Sequence, residues 1–269
     1  MAHQTRNLLF AGIIIGGFLG CHQAVVNHIS ATQVQVEPTS ELPNFALIEN
    51  IPSRKQEFFS YLEPFVEREN ARLSALRNDL SNKSVDELKR LADEYGVDPS
   101  ADDLPQRLRK RIDMIPTSLV LVQAAVESAW GTSRFARQGN NLFGQWCFTK
   151  GCGIVPQSRA AGANHEVRRF ASPQDSIRSY MHNLNSHRAY AKLRRQRAAQ
   201  RQKGEPLSGC YLAAGLTSYS EKGNKYVELV KSMIRGNRLE TQNAQYCAPR
   251  MVAEPKETQV KEPAKKDQG

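Results

Sequence analysis

The sequence has no apolar run long enough to cross a bilayer as a helix. The uncharged stretch Leu8–Leu19 falls short of the roughly 20 residues a span needs. It does have the length of a signal-peptide core, and Arg6 precedes it, so export is predicted. Several chemistries are also missing. There is no glycine-rich phosphate loop, no Ser-His-Asp arrangement, and no zinc-finger or RNA-binding aromatic signature. His165, His182 and His187 have no partners at metal-binding spacing, so they read as exposed or structural histidines. Acids are short too: 27 Asp and Glu against 37 Lys and Arg leave a net charge of +10. Such an excess favours an anionic partner, whether nucleic acid, a membrane surface or an acidic polymer. Without any nucleic-acid signature, the expectation is no nucleic acid. The dense basic run Arg188–Lys203 reads as a solvated face that also attracts acidic groups.

Cysteines are few, five in 269 residues, and their odd number is informative. The apolar run ends Phe18-Leu19-Gly20-Cys21, which resembles the lipobox of bacterial lipoproteins. Lipidation of Cys21 leaves the even set Cys147, Cys152, Cys210 and Cys247 for an oxidising compartment. Three pairings are open. Cys147 with Cys152 and Cys210 with Cys247 is favoured, because the first pair brackets a tight Thr149-Lys150-Gly151 turn. Wide spacings without a histidine pair argue against zinc, and free thiols are the remaining alternative. A periplasmic, membrane-anchored lipoprotein is therefore expected, with an ordinary signal peptide or an uncleaved anchor as the other options.

The chain divides by pattern. Residues 1–20 form the signal peptide, and residues 21–50, polar with Pro38 and Pro43, read as a linker. Residues 51–115 read as an N-terminal helical region, with Pro64 a kink or break and a capping box at Ser84–Glu87. Residues 116–247 form the main domain, and 248–269, rich in Pro, Glu and Lys, a disordered tail. Inside the main domain, Pro116-Thr117-Ser118 starts a helix that Gly131 stops, and the apolar residues between predict burial on all sides. A small β-hairpin region is expected between Asn140 and Phe170. The fold class is mainly α, with a little β.

One carboxylate, Glu127, ends that apolar helix just before Trp130 and Gly131. Desolvation and the negative end of the helix dipole both disfavour its charged form, so both raise its pKa, and a general acid near neutral pH needs that. Trp130 supplies an apolar wall. The same spacing also allows Glu127 to turn outward or to pair with Arg134.

The residues Ala125-Val126-Glu127-Ser128-Ala129-Trp130-Gly131-Thr132-Ser133-Arg134, followed by Asn140-Asn141-Leu142-Phe143-Gly144, resemble the signature of the bacterial glucosaminidase family, glycoside hydrolase family 73. The region from Lys55 to Arg72 and the continuation Gln145-Trp146-Cys147 look like its Bax-type subgroup. The resemblance implies a lysozyme-like fold with a helical lobe and a small β lobe. It implies cleavage of the peptidoglycan glycan strand by an endo-β-N-acetylglucosaminidase, with no metal or organic cofactor. Glu127 matches the catalytic acid, and Glu166, in the predicted hairpin, falls near the family's second carboxylate. Asn141, Phe143 and Trp146 are expected to line the sugar site, with the faces of Trp130 and Trp146 suited to sugar rings. Tyr219 to Tyr226 resembles the family's Tyr-x-x-Asp-Pro-x-Tyr segment, with one residue more between the tyrosines and no Asp-Pro, so which tyrosine serves the site stays open. Two rival readings share the motif: a non-catalytic wall-binding or assembly module, and a muramidase or lytic transglycosylase on the same fold.

Overall fold

A computed structural model describes residues 41–248. The predicted signal peptide, Cys21 and its predicted lipidation, most of the predicted linker and residues 249–269 lie outside the described residues. The described chain is mostly helical, with one small sheet. Its first helix, α1 (Ile51–Asp79), is capped by Asn50, whose side chain accepts from the Ser53 amide. It runs on through Pro64, where the sequence predicts a kink or break, without a break. Pro64 lies on the exposed side, so the Ser60 carbonyl that loses its helical partner meets water. The opposite side buries Phe58, Leu62, Phe65, Val66 and Leu73. The linker also ends sooner than predicted, because Phe45, only 2% exposed, packs edge-on against Phe58.

Helices α2 (Val85–Tyr95) and α3 (Leu104–Arg111) pack on each other. The capping box holds: Ser84 accepts from the Glu87 amide, and Glu87 accepts from the Ser84 amide at 2.9 Å. Helix α4 (Thr117–Ser128) is the centre of the described structure, packed against α1 and against the later helices α8 (Gly209–Ala213) and α9 (Asn224–Gly236). Ser118 through Ala125 are all buried. Burial of Leu119, Val120, Leu121 and Val122 alone is worth about 6–12 kcal/mol before chain entropy is charged. Asn70 of α1 fixes the approach to α4 with two bonds to the Ile115 backbone, at 2.9 and 3.0 Å.

The end of α4 differs from the predicted glycine stop. The helix closes at Ser128, and Ala129, Trp130 and Gly131 follow with φ of 51°, 59° and 74°. Three successive left-handed residues are costly for alanine and tryptophan, and such strain persists only where surroundings hold it. Ser128 supplies part of that hold, donating to the Ala124 carbonyl and accepting from the Gly131 amide at 2.8 Å. Gly131 could not be larger, since a Cβ there would lie 2.6 Å from the Phe45 ring.

After the short helix α5 (Arg134–Gly139) come β1 (Trp146–Cys147), β2 (Gly153–Ile154) and β3 (Glu166–Arg168). They form a three-stranded antiparallel sheet with β3 in the middle, Trp146 opposite Val167 and Gly153 opposite Arg168. Gly153 is obligatory, because a Cβ there would sit 2.1 Å from the Val167 carbonyl. The Cys147–Cys152 disulfide closes the turn between β1 and β2. Helices α6 (Pro173–Ser186), α7 (Ala191–Gln202), α8 (Gly209–Ala213) and α9 (Asn224–Gly236) complete the main lobe, and Cys210 of α8 is bonded to Cys247. The architecture is the lysozyme-like one, a helical lobe with a small β lobe. Helix α7 corrects the solvated-face reading: Arg194 is 6% and Arg197 1% exposed.

Candidate active site

Glu127 occupies the last turn of α4 and is half-buried. Tyr226, near the start of α9, donates its hydroxyl to Glu127 Oε1 at 2.8 Å. That hydroxyl in turn accepts from Gln123 Nε2 at 3.1 Å. Gln123 lies one turn before Glu127 on the same helix face. Its Oε1 accepts from the Tyr180 hydroxyl of α6. Three helices thus converge on one directed chain of hydrogen bonds, Tyr180 to Gln123 to Tyr226 to Glu127, whose first three members are at most 3% exposed. Aromatic packing holds the chain. Phe143 stacks flat on Tyr180 at 3.9 Å, and Tyr219 stacks on Tyr226 at 5.3 Å.

Burial raises the Glu127 pKa above the ordinary carboxylate value, while the Tyr226 hydrogen bond and the charge of Lys222 oppose the rise and leave it incomplete. The Tyr226 phenol is itself pushed up, by burial first and then by the Glu127 charge, so it remains a donor. With Oε1 accepting from Tyr226, the acid's proton belongs on Oε2, which has no hydrogen-bond partner among the described residues. Arg134 does not pair with Glu127. It donates to the Val155 carbonyl at 3.0 Å and lies over the Phe135 ring.

Glu166 is arranged in the opposite way. It is 5% exposed, and its two oxygens accept from the Gly151 and Gly153 amides at 3.0 and 2.8 Å. Those backbone bonds, with smaller help from Arg159 and Lys150, hold its pKa below the ordinary value. It is an anion that clamps the disulfide-closed turn, and none of its hydrogen bonds reaches the Glu127 chain.

The remaining predicted residues separate by environment. Asn141 is 1% exposed and fully occupied: its amide group donates to the Gln145 and Arg168 carbonyls, and its oxygen accepts from the Gln145 amide. It organises the Asn-Asn-Leu-Phe-Gly loop. Phe143 is buried, and its carbonyl accepts from the Tyr219 hydroxyl at 3.4 Å. Trp130 is pinned edge-on between Phe58 and Phe59, with the Lys55 ammonium 5.1 Å from its ring. Trp146 is 57% exposed and stacked on His165 at 4.2 Å, so one aromatic face stays open. Sequence reasoning missed Gln123 and Tyr180. Gln123 did carry a signal, a polar residue four positions before Glu127 in an otherwise apolar helix; Tyr180 carried none.

A helical lobe with a small sheet, and a tyrosine-bound acid at the end of its central helix, can be compared with known proteins. The glucosaminidase family, described as mannosyl-glycoprotein endo-beta-N-acetylglucosaminidase, matches residues 103–239, just over half the chain. Protein bax of Escherichia coli (strain K12) is 33% identical over 212 residues, covering 74% of this chain and 76% of the relative. The chain belongs to the glucosaminidase family. Its relation to the bax protein places it in the Bax-type subgroup, and it is a glycoside hydrolase. The catalytic domain of the autolysin Auto from Listeria monocytogenes aligns with a TM-score of 0.40 and 18% identity, covering 75% of this chain and 93% of that one.

Proposed function

We propose that the protein is an exported endo-β-N-acetylglucosaminidase that hydrolyses peptidoglycan glycan strands, with Glu127 as proton donor. The observation that carries this reading is the half-buried carboxylate whose Oε1 is taken by Tyr226 and whose Oε2 is left to hold a transferable proton. Protonation of the glycosidic oxygen from Oε2 lets the bond break toward an oxocarbenium-like state. The ionised carboxylate left behind is stabilised by Tyr226, so the acid is readied for both halves of the cycle. Trp146 serves as the platform for a sugar ring, while Asn141, Phe143 and Tyr219 shape the site from behind. Glu166, with both oxygens committed to backbone amides, is a structural anion in this reading. The second half of the reaction falls to water or to the substrate's own acetamido group. The signal peptide, and a lipid on Cys21, would hold the enzyme at the membrane on the wall side.

Clearing of purified peptidoglycan by the wild type and its loss in Glu127→Gln test the assignment. Undiminished clearing by that variant would remove Glu127 from the reaction. Mass spectrometry of the fragments tests the bond: reducing N-acetylglucosamine ends are expected, and anhydromuramic ends would make the protein a lytic transglycosylase. Labelling of the wild type with a fatty acid, absent in Cys21→Ser, tests the anchor; an unlabelled wild type refutes it.

A further inference from the structure

A cluster of positive charge lies apart from Glu127, in a groove of 220 Å3 between the end of α1, the last turn of α3 and α7. Arg77, Arg109, Lys110, Arg194, Arg197 and Arg201 line it, and Asp113 is the one carboxylate among the lining residues. Asp113 is already shared three ways, with Arg201 at 2.8 Å, Arg197 at 3.7 Å and Arg77 at 3.8 Å. Five positive charges are thus in excess around one small space. Burial first, and then the Arg111 and Arg195 guanidinium groups outside the lining, lower the Arg194 pKa to about 10.

Part of this cluster holds the fold together. Arg197 spends its donors on the Lys110, Arg111, Asp113 and Met114 carbonyls and on Asn185. That settles the carbonyls at the end of α3 but offers nothing to a ligand. The others have donors left. Arg201 gives only Nε and Nη2 to Asp113, and Arg194 gives only Nη1, to the Leu184 and His187 carbonyls. Arg109 and Lys110 make no side-chain hydrogen bond or ion pair among the described residues, and they stand at the rim, half-buried and exposed.

We propose that this groove is a binding site for a multiply charged phosphate group. A carboxylate is the weaker match: Asp113 is already present, and one further single charge would leave most of the excess. Phosphate brings two or more charges, and its oxygens fit the fork of a guanidinium. The volume, several times the ~30 Å3 share of one water, admits a diphosphate. The source is a lipid headgroup that ends in a phosphomonoester, as in phosphatidic acid, or a soluble phosphate, two forms of the same chemistry.

The test is melting and calorimetric titration of the protein with sodium pyrophosphate against sodium chloride of equal ionic strength. Saturable binding is expected, with Tm rising by about 5–11 °C at 100 times Kd. The pair Arg109→Gln with Lys110→Gln should weaken binding about tenfold or more, two charge-assisted contacts being lost. The pair Lys89→Gln with Arg90→Gln on α2 removes the same charge elsewhere and should leave it unchanged. No effect beyond that of chloride, or equal weakening by both pairs, would overturn the site. Sedimentation with vesicles containing phosphatidic acid, against phosphatidylcholine alone, separates the sources. Retention lost in the Arg109/Lys110 pair identifies a lipid headgroup. Pyrophosphate binding without retention identifies a soluble phosphate.

Discussion

Replacing Tyr226 by phenylalanine removes one oxygen that serves two partners, and the two losses have different readouts. Gln123 Nε2 loses its acceptor in a site with no exposure. An orphaned buried donor costs about 1–3 kcal/mol, which at about 2–4 °C per kcal/mol lowers Tm by about 2–12 °C. The second loss is electrostatic. Tyr226 donates to the Glu127 carboxylate and so favours its charged form, opposing the rise that burial imposes. Without that donation the Glu127 pKa rises further. In the proposed reaction Glu127 acts while protonated, so activity falls as pH rises through its pKa, and Tyr226→Phe must move that fall to higher pH. Below the fall the variant still has a protonated acid but has lost the donor that stabilises the carboxylate as it forms. A donor to a developing charge is worth about 1.5–3 kcal/mol, so kcat should drop about 10- to 150-fold there. The assay is peptidoglycan turnover against pH, at a temperature where circular dichroism shows the variant folded. An alkaline limb that stays in place, or moves to lower pH, would refute the proposed pairing of Tyr226 with the acid.

Glu127→Gln should raise thermal stability at pH 8 and change it little at pH 4. A carboxyl whose folded pKa is raised stabilises fully only below its unfolded value and loses that stability as pH climbs, so removing the charge gains most in alkali; melting curves at the two pH values check this. Glu166→Gln works in the opposite sense, because its folded pKa is depressed. Its stability is present above the unfolded carboxyl value and lost as pH falls through the folded one, so the variant should melt lower at pH 7 and match the wild type in acid, while keeping near-wild-type turnover when folded. A collapse of turnover in folded Glu166→Gln would return it to the mechanism. Arg197→Met leaves four backbone carbonyls in a buried site without their donor and should cost about 3 kcal/mol or more by denaturant titration. Trp146→Ala should raise KM several-fold with little change in Tm, since the ring is 57% exposed and packs on one side only.

Features that depend only on near neighbours are legible in the sequence. The capping box at Ser84 and Glu87 and the left-handed Gly96 that ends α2 involve partners within four residues, so short-range spacing suffices to find them. Burial of α4 is equally open, because an apolar run with no polar face allows nothing else. The inferences that fail are those that depend on distant partners. Pro64 reads as a break until the exposed side of α1 is known. Phe45 reads as linker until Phe58 and Gly131 are found around it. Arg194 and Arg197 read as solvated until the carbonyls of Leu184 and Lys110 appear within reach, from the end of α6 and from α3.

The candidate site divides along the same line, and the division says how the proposed acid would be made. The sequence signature contains Glu127 but none of the groups that hold its proton on one particular oxygen. Tyr226 lies 99 residues away and Tyr180 is 57 from Gln123. The two tyrosines of the aberrant segment, indistinguishable by spacing, take different tasks once α9 docks on α4: Tyr226 bonds the acid and Tyr219 stacks behind it. An apolar helix end alone would raise the pKa of any carboxylate there. It would not choose between Oε1 and Oε2, and a general acid must present its proton in one direction. The direction comes from the chain Tyr180 to Gln123 to Tyr226, and Gln123, the single polar side chain buried within α4 between Ser118 and Ser128, fixes where that chain can end.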